Sequence, residues 1–267
     1  MKADTLYPIL MVHGMGFRDR KRLCYWGRIP KVLEENGARV FFGGQDSSGS
    51  VESNAEQLRP RLEAVLAETG AEKVNIIAHS KGGLEARYLI SSMGFGDRVA
   101  SLTTLSTPHN GSLTVDKLMK IPAPAVKLGC KAADLWFRLA GDKNPDTYSA
   151  VDMFRTSSAD SFNAANPDDP RVYYQSFGFV MNGFFSDITM CIPWLAVHAV
   201  EGENDGLLAP RAVKWTNFGG VYRGAGRRGI SHCDEVDMRR SRLDVNGGGD
   251  ITDFYLNIVS GLKEKGF

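Results

Sequence analysis

No apolar run in this sequence approaches the roughly 20 residues that a helix needs to cross a bilayer. Charge of one sign is not in excess either. The chain has 32 Lys and Arg against 31 Asp and Glu, a net charge of +1, so nothing in its balance draws it to nucleic acid or to an anionic membrane. Cysteine is scarce: Cys24, Cys130, Cys191 and Cys233 are scattered, without the spacing of a metal finger. Their even number permits disulfides without requiring them, which leaves the redox compartment open. Internal repeats and low-complexity segments are absent. So is a secretion signal in the chain as it stands, because Met1-Lys2-Ala3-Asp4 leads straight into a strand pattern. Export by another route and residence inside the cell both stay open. What remains is a composition of 43% hydrophobic and 24% charged residues over 267 positions, which suits a single large α/β domain.

The stretch from Val74 to Leu89 is the most informative. Val74-Asn75-Ile76-Ile77 has the length and β-branched character of a strand buried on both faces. From Leu84 the apolar positions recur at Tyr88 and Leu89, at helical spacing. Between them, Ala78-His79-Ser80-Lys81-Gly82 is a near match to G-x-S-x-G, with alanine at the first glycine position. A serine on so sharp a strand-to-helix turn needs small neighbours, and the turn lifts its hydroxyl above the sheet edge. The amide of Lys81 and the helix N-terminus then face a developing oxyanion. The alternative is that small residues merely separate a strand from a helix; the rest of the chain argues against it.

Tyr7 to Val12 is a second buried strand, running into His13-Gly14-Met15-Gly16. Acyl transfer needs a second backbone donor from such an early loop, and the amide of Met15 is the candidate. A helix over Tyr25–Asn36, a strand over Arg39–Phe42, a loop over Gly43–Ser53, a helix over Ala55–Thr69 and a strand over Val99–Leu105 follow. Strands are also expected at Val172–Phe177 and Leu195–Val200, with a short element at Val221-Tyr222, a loop from Gly224 to Ser231 and a terminal helix over Asp253–Lys263. This alternation implies a mainly parallel six-stranded sheet with helices on both faces. Residues 112–170 break the rhythm. Helices are expected there around Val115–Lys120, Val126–Leu139 and Ala150–Phe154 but no clear strand. An insertion of this length reads either as a lid or as a packed helical subdomain.

A serine nucleophile needs a histidine base and a carboxylate to orient it, here in the order Ser, Asp/Glu, His. Of the five histidines only His198 and His232 come late enough, and His198 falls inside the apolar run expected to be a strand. His232 lies on a polar loop before the final helix. Asp205, 27 residues ahead of it in a loop after the Leu195–Val200 run, is the candidate acid, with Asp187 and Glu203 as weaker rivals. Asp234 follows His232 too closely to orient its ring from below. The candidate triad is therefore Ser80, Asp205 and His232.

Tyr7 to Phe17, Tyr25-Trp26 with Ile29-Pro30, Lys73-Val74-Asn75 leading to His79-Ser80, Thr107 to Ser112, Asn204 to Leu207, and His232 with Asp234-Glu235-Val236 carry a resemblance. Together they resemble bacterial triacylglycerol lipases of the Pseudomonas and Proteus type, most poorly from about Leu113 to Ala150. The resemblance implies an α/β-hydrolase fold with a helical lid insertion at 112–170, and a serine carboxylic-ester hydrolase acting on acylglycerols, with no organic cofactor. It also implies secretion and a structural calcium, with Asp234 at one ligand position and Asp187 at the other. The family's glutamine further along is replaced around Met238, and a salt-bridged Asp234 is the alternative. The family's late cysteine is absent, Ala209-Pro210 standing in its place. Rival activities are a short-chain esterase, a thioesterase or an acyltransferase; a non-catalytic binding protein on the same fold is the rival from another class.

Overall fold

The computed structural model describes residues 2–19, 24–225, 228–246 and 249–267. Met1, and two positions (226 and 227) within the loop expected from Gly224 to Ser231, lie outside the described residues. The strands are β1 (Ile9–Val12), β2 (Val40–Phe42), β3 (Val74–His79), β4 (Val99–Leu105), β5 (Tyr173–Val180) and β6 (Phe218–Arg223). They form one sheet in the order β2-β1-β3-β4-β5-β6, with every named strand pairing parallel. The helices are α1 (Ile29–Glu35), α2 (Val51–Thr69), α3 (Lys81–Ile90), α4 (Leu113–Leu118), α5 (Ala123–Leu139), α6 (Thr147–Asp152), α7 (Thr156–Ala165), α8 (Cys191–Glu201), α9 (Pro210–Val213) and α10 (Ile251–Glu264).

Successive strand residues point to opposite faces, and the core divides accordingly. Ile9, Met11 and Ile77 join Leu33, Tyr255 and Val259 in the layer beneath α1 and α10. Leu10, Val12 and Ile76 join Leu58, Leu62, Ala86 and Leu89 in the layer beneath α2 and α3. Both layers are fully buried at these strand positions, which is why β1 reads as a continuous apolar run and β3 as a mostly apolar one. Helix α2 starts at Val51, inside the stretch expected to be loop, because the Ser50 hydroxyl accepts a bond from the Ser53 amide at 3.2 Å and caps it.

One expected strand is a helix. Leu195–Val200 lies in α8, outside the sheet, and His198 is an exposed helical residue stacked on Trp194. Periodicity alone cannot separate a short apolar strand from a helix, and both neighbours of β5 are already occupied, by β4 and β6. The sixth strand is β6, grown around Val221-Tyr222; its two glycines, Gly219 and Gly220, hide the strand pattern. Asp205 therefore follows a helical excursion from β5 and not a strand. The chain returns to the sheet at that point, the Met181 amide donating to the Asn204 carbonyl at 2.9 Å.

Between β4 and β5 the described residues 112–170 hold α4 to α7 and no strand. Helix α7 was not expected, because Thr156–Ala165 has only Phe162 as a large apolar residue. The four cysteines are free, and no helix among the described residues is long and apolar enough to cross a membrane.

The elbow closes against β1. A Cβ on Gly82 would lie 2.5 Å from the His13 carbonyl oxygen and 2.6 Å from that of Val12. Backbone cannot yield there, so Gly82→Ala is expected to destabilise the fold by about 1–3 kcal/mol in urea unfolding. His109, after β4, is fully buried between Thr104 and Arg87 and stacked on Trp215. Burial, helped by the Arg87 charge, holds its pKa well below the ordinary histidine value. Its contribution to stability is complete above about pH 6.5 and is lost as the pH falls below that value. The drop in melting temperature between pH 7 and 5 is expected to be shallower in His109→Gln than in the wild type.

Candidate active site

Ser80 sits between β3 and α3 at φ 54°, ψ −130°, a conformation in which a non-glycine residue is strained. Its carbonyl is held by the Thr107 hydroxyl, which donates to it at 2.8 Å, and its amide by the Leu105 carbonyl at 2.9 Å. Lys81 is the first residue of α3, so its amide has no partner within the helix and faces outward at the N-terminus. The Lys81 side chain is buried in an ion pair with Glu85 and donates to the Gly49 carbonyl at 2.9 Å. From the other side the β1 loop packs on the serine: a Cβ on Gly14 would lie 2.8 Å from Ser80 Cβ. Met15, next in the chain, is half-buried beside it. The two expected oxyanion donors thus belong to segments that flank Ser80.

His232 and Asp205 come together as expected. His232 Nδ1 lies 2.8 Å from Asp205 Oδ2, and the His232 amide donates to the Asp205 carbonyl at 2.7 Å. The other carboxylate oxygen accepts from the amides of Leu207 and Leu208 at 2.8 and 2.7 Å. Burial would raise the pKa of Asp205, but the His232 charge and these hydrogen bonds outweigh it and hold the carboxyl below its ordinary range. An ionised Asp205 fixes the proton of His232 on Nδ1, which leaves Nε2 able to accept one. The His232 ring lies 4.4 Å, centroid to centroid, from that of His79, the residue before Ser80. Among the described residues no hydrogen bond joins the Ser80 hydroxyl to His232; such contacts commonly tighten only when substrate binds.

Beneath His232 lies a buried network that the sequence pattern does not disclose. Tyr25 Oη is 2.7 Å from His79 Nδ1, and His79 Nε2 is 3.1 Å from Glu235 Oε2. Glu235 is fully buried, with its other oxygen 3.8 Å from His232 Nδ1. Burial, reinforced by the Asp205 charge, pushes its pKa well above the usual carboxylate range. Burial and the nearby His232 hold His79 well below the ordinary histidine value. Both directions favour the neutral forms of Glu235 and His79. A glutamate in the charged run Asp234-Glu235 looks solvated in sequence, and only its burial marks it.

The remaining candidates lie elsewhere. Glu203 is an exposed partner of Arg223. Asp187 and Asp234 are brought together, but around Arg239, whose Nη2 donates to Asp187 Oδ2 at 2.9 Å and to Asp234 Oδ2 at 2.8 Å. A cavity of about 500 Å³ is lined by Gly16, Phe17 and Tyr25 and by Trp136 and Leu139 of α5; it reaches the buried network at Tyr25, and neither Ser80 nor His232 lines it.

The profile of the family described as palmitoyl protein thioesterase matches residues 8–177. Triacylglycerol lipase 2 of Saccharomyces cerevisiae is 29% identical over 285 aligned positions, covering 100% of this chain and 78% of that protein. A triacylglycerol lipase of Vibrio cholerae is 42% identical over 115 residues, which are 43% of this chain and 36% of that one. This chain thus matches little more than a third of that bacterial relative's length. Among solved structures, a Staphylococcus hyicus lipase superposes with a TM-score of 0.69 at 16% identity, over 99% of this chain and 98% of that one. The mature form of a Bacillus licheniformis lipase gives 0.63 at 20% identity, over 87% of each chain. The resemblance to bacterial triacylglycerol lipases and the α/β-hydrolase fold are therefore both borne out. By the match across residues 8–177, from β1 into β5, the chain belongs to the palmitoyl protein thioesterase family.

Proposed function

We propose that this chain is a serine carboxylic-ester hydrolase that cleaves long-chain acylglycerols through Ser80, His232 and Asp205. The observation that carries the reading is the buried 2.8 Å pair of His232 and Asp205, placed beside a serine on a strained elbow. His232 Nε2 takes the Ser80 proton as the oxygen adds to the ester carbonyl. The amides of Lys81 and Met15 bind the tetrahedral oxyanion. Collapse expels the alcohol, which receives the proton from His232 and leaves an acyl-serine. A water molecule, deprotonated by His232, attacks that ester and releases the fatty acid with Ser80 re-protonated. Asp205 holds the imidazolium through both steps.

Segment 112–170 serves as the lid. Trp136 and Leu139 of α5 are 68% and 78% exposed, yet they also line the cavity beside the β1 loop. One helix therefore presents apolar surface both to an acyl chain and to a lipid–water interface. A second reading, hydrolysis of long-chain thioesters, is favoured by the family profile across residues 8–177. It uses the same triad and the same acyl pocket.

Ser80→Ala is expected to lower ester turnover by roughly 10⁴-fold or more with the far-UV spectrum unchanged, and to abolish labelling by a fluorophosphonate. Wild-type turnover from that variant would overturn the mechanism. Comparing kcat/KM on emulsified long-chain triglyceride with that on a palmitoyl thioester separates the two readings. The acylglycerol reading requires the larger value on the ester, rising when an oil interface forms.

A further inference from the structure

The resemblance to lipases implies a calcium between the loops that carry Asp187 and Asp234. The residues present do not fit one. Both aspartates are buried, and every carboxylate oxygen already has donors. Asp187 Oδ1 accepts from the Thr189 amide at 2.9 Å and its hydroxyl at 2.7 Å. Asp187 Oδ2 accepts from the Ser231 hydroxyl at 2.5 Å and from Arg239. Asp234 Oδ1 accepts from Arg228 Nη2 at 2.7 Å and from Arg239 Nε at 2.9 Å. Asp234 Oδ2 accepts from the Ser231 amide at 3.2 Å and from Arg239 Nη2. Calcium wants six to eight oxygen ligands at about 2.3–2.6 Å, with their lone pairs turned toward it. Here those lone pairs are turned toward N–H and O–H donors, and two guanidinium charges already balance the two carboxylates.

We infer that Arg239 replaces the structural cation: its guanidinium bridges Asp187 and Asp234 and so positions His232 without a metal. A planar fork donates from Nε and Nη2 to one carboxylate while the same Nη2 reaches the other, which a lysine point charge cannot do. One partner lies on the segment after β5, and the other lies two residues past His232. Ser231, immediately before His232, is held by both carboxylates. The clamp therefore fixes the backbone on either side of the base, and Arg239 is a positioning residue.

The test uses the purified protein dialysed against EDTA, with calcium chloride as the probe. Wild-type protein is expected to keep its melting temperature whether or not millimolar calcium is added, and to bind no stoichiometric calcium in equilibrium dialysis. Arg239→Gln is expected to lower kcat by about tenfold or more, with KM held because no substrate contact is removed, and Arg239→Lys is expected to restore only part of the loss. One calcium per wild-type chain with a raised melting temperature overturns the inference, as does an Arg239→Gln protein with wild-type melting temperature and kcat. Should Arg239→Gln fail to fold, the wild-type calcium measurement still decides. The kcat arm rests on the ester-hydrolase reading, whereas the calcium and melting arms do not. Loss of fluorophosphonate labelling in the wild type would strike that reading alone.

Discussion

The site depends on a backbone that is forced into an unfavourable conformation and held there. Ser80 takes a positive φ because the chain turns from β3 into α3 within one residue. The turn closes only because Gly82 presents no Cβ to the carbonyls of Val12 and His13. Strain of this kind costs of order 1–3 kcal/mol and persists only where its surroundings over-determine it. Here the surroundings are a central strand buried on both faces, hydrogen bonds at both ends of the serine, and a β1 loop packed against its Cβ. The same strain lifts the hydroxyl clear of the sheet and sets the first amide of α3 beside it.

Electrostatics then divides the labour among four buried titratable groups. Asp205 accepts from His232 and from two amides and remains an anion. Glu235, a few ångströms away with far fewer donors, is kept as a neutral acid, and His79 as a neutral imidazole. The negative charge that faces the His232 imidazole is therefore that of Asp205. Outside this core the His232 loop is pinned by arginines. Arg28 spans Asp237 and Asp250 at 2.7 Å each, and Arg239 spans Asp187 and Asp234. Guanidinium groups suit this work because each offers several donors in a fixed plane.

Much of this was legible in the sequence because local chemistry and global fold agree there. The runs at Ile9–Val12, Val74–His79 and Val99–Leu105 are mostly apolar and buried along their whole length, as a central parallel strand requires. The candidates Ser80, Asp205 and His232 stand next to turn residues, in the chain order Ser, Asp, His. The apolar stretch before Asp205 misleads because eleven residues of high hydropathy satisfy a strand and an exposed helix equally. Strand β6 was nearly invisible because Gly219 and Gly220 remove side chains from half of its first four positions. Asp187 and Asp234 lie together in space, but their partner Arg239 could not be read from a run of two arginines in a polar loop.

The sequence by itself determined the order of strands and helices around the elbow, the candidate nucleophile, and the residue types of its candidate partners. It could do so because periodicity, turn chemistry and motif spacing act over fewer than about 20 residues. Tertiary structure decided which carboxylate stays charged, what fills the gap between Asp187 and Asp234, and which apolar segment joins the sheet. Those outcomes depend on burial and on distances between residues far apart in the chain, such as the 156 positions separating His79 from Glu235. Neither quantity exists until the chain has folded.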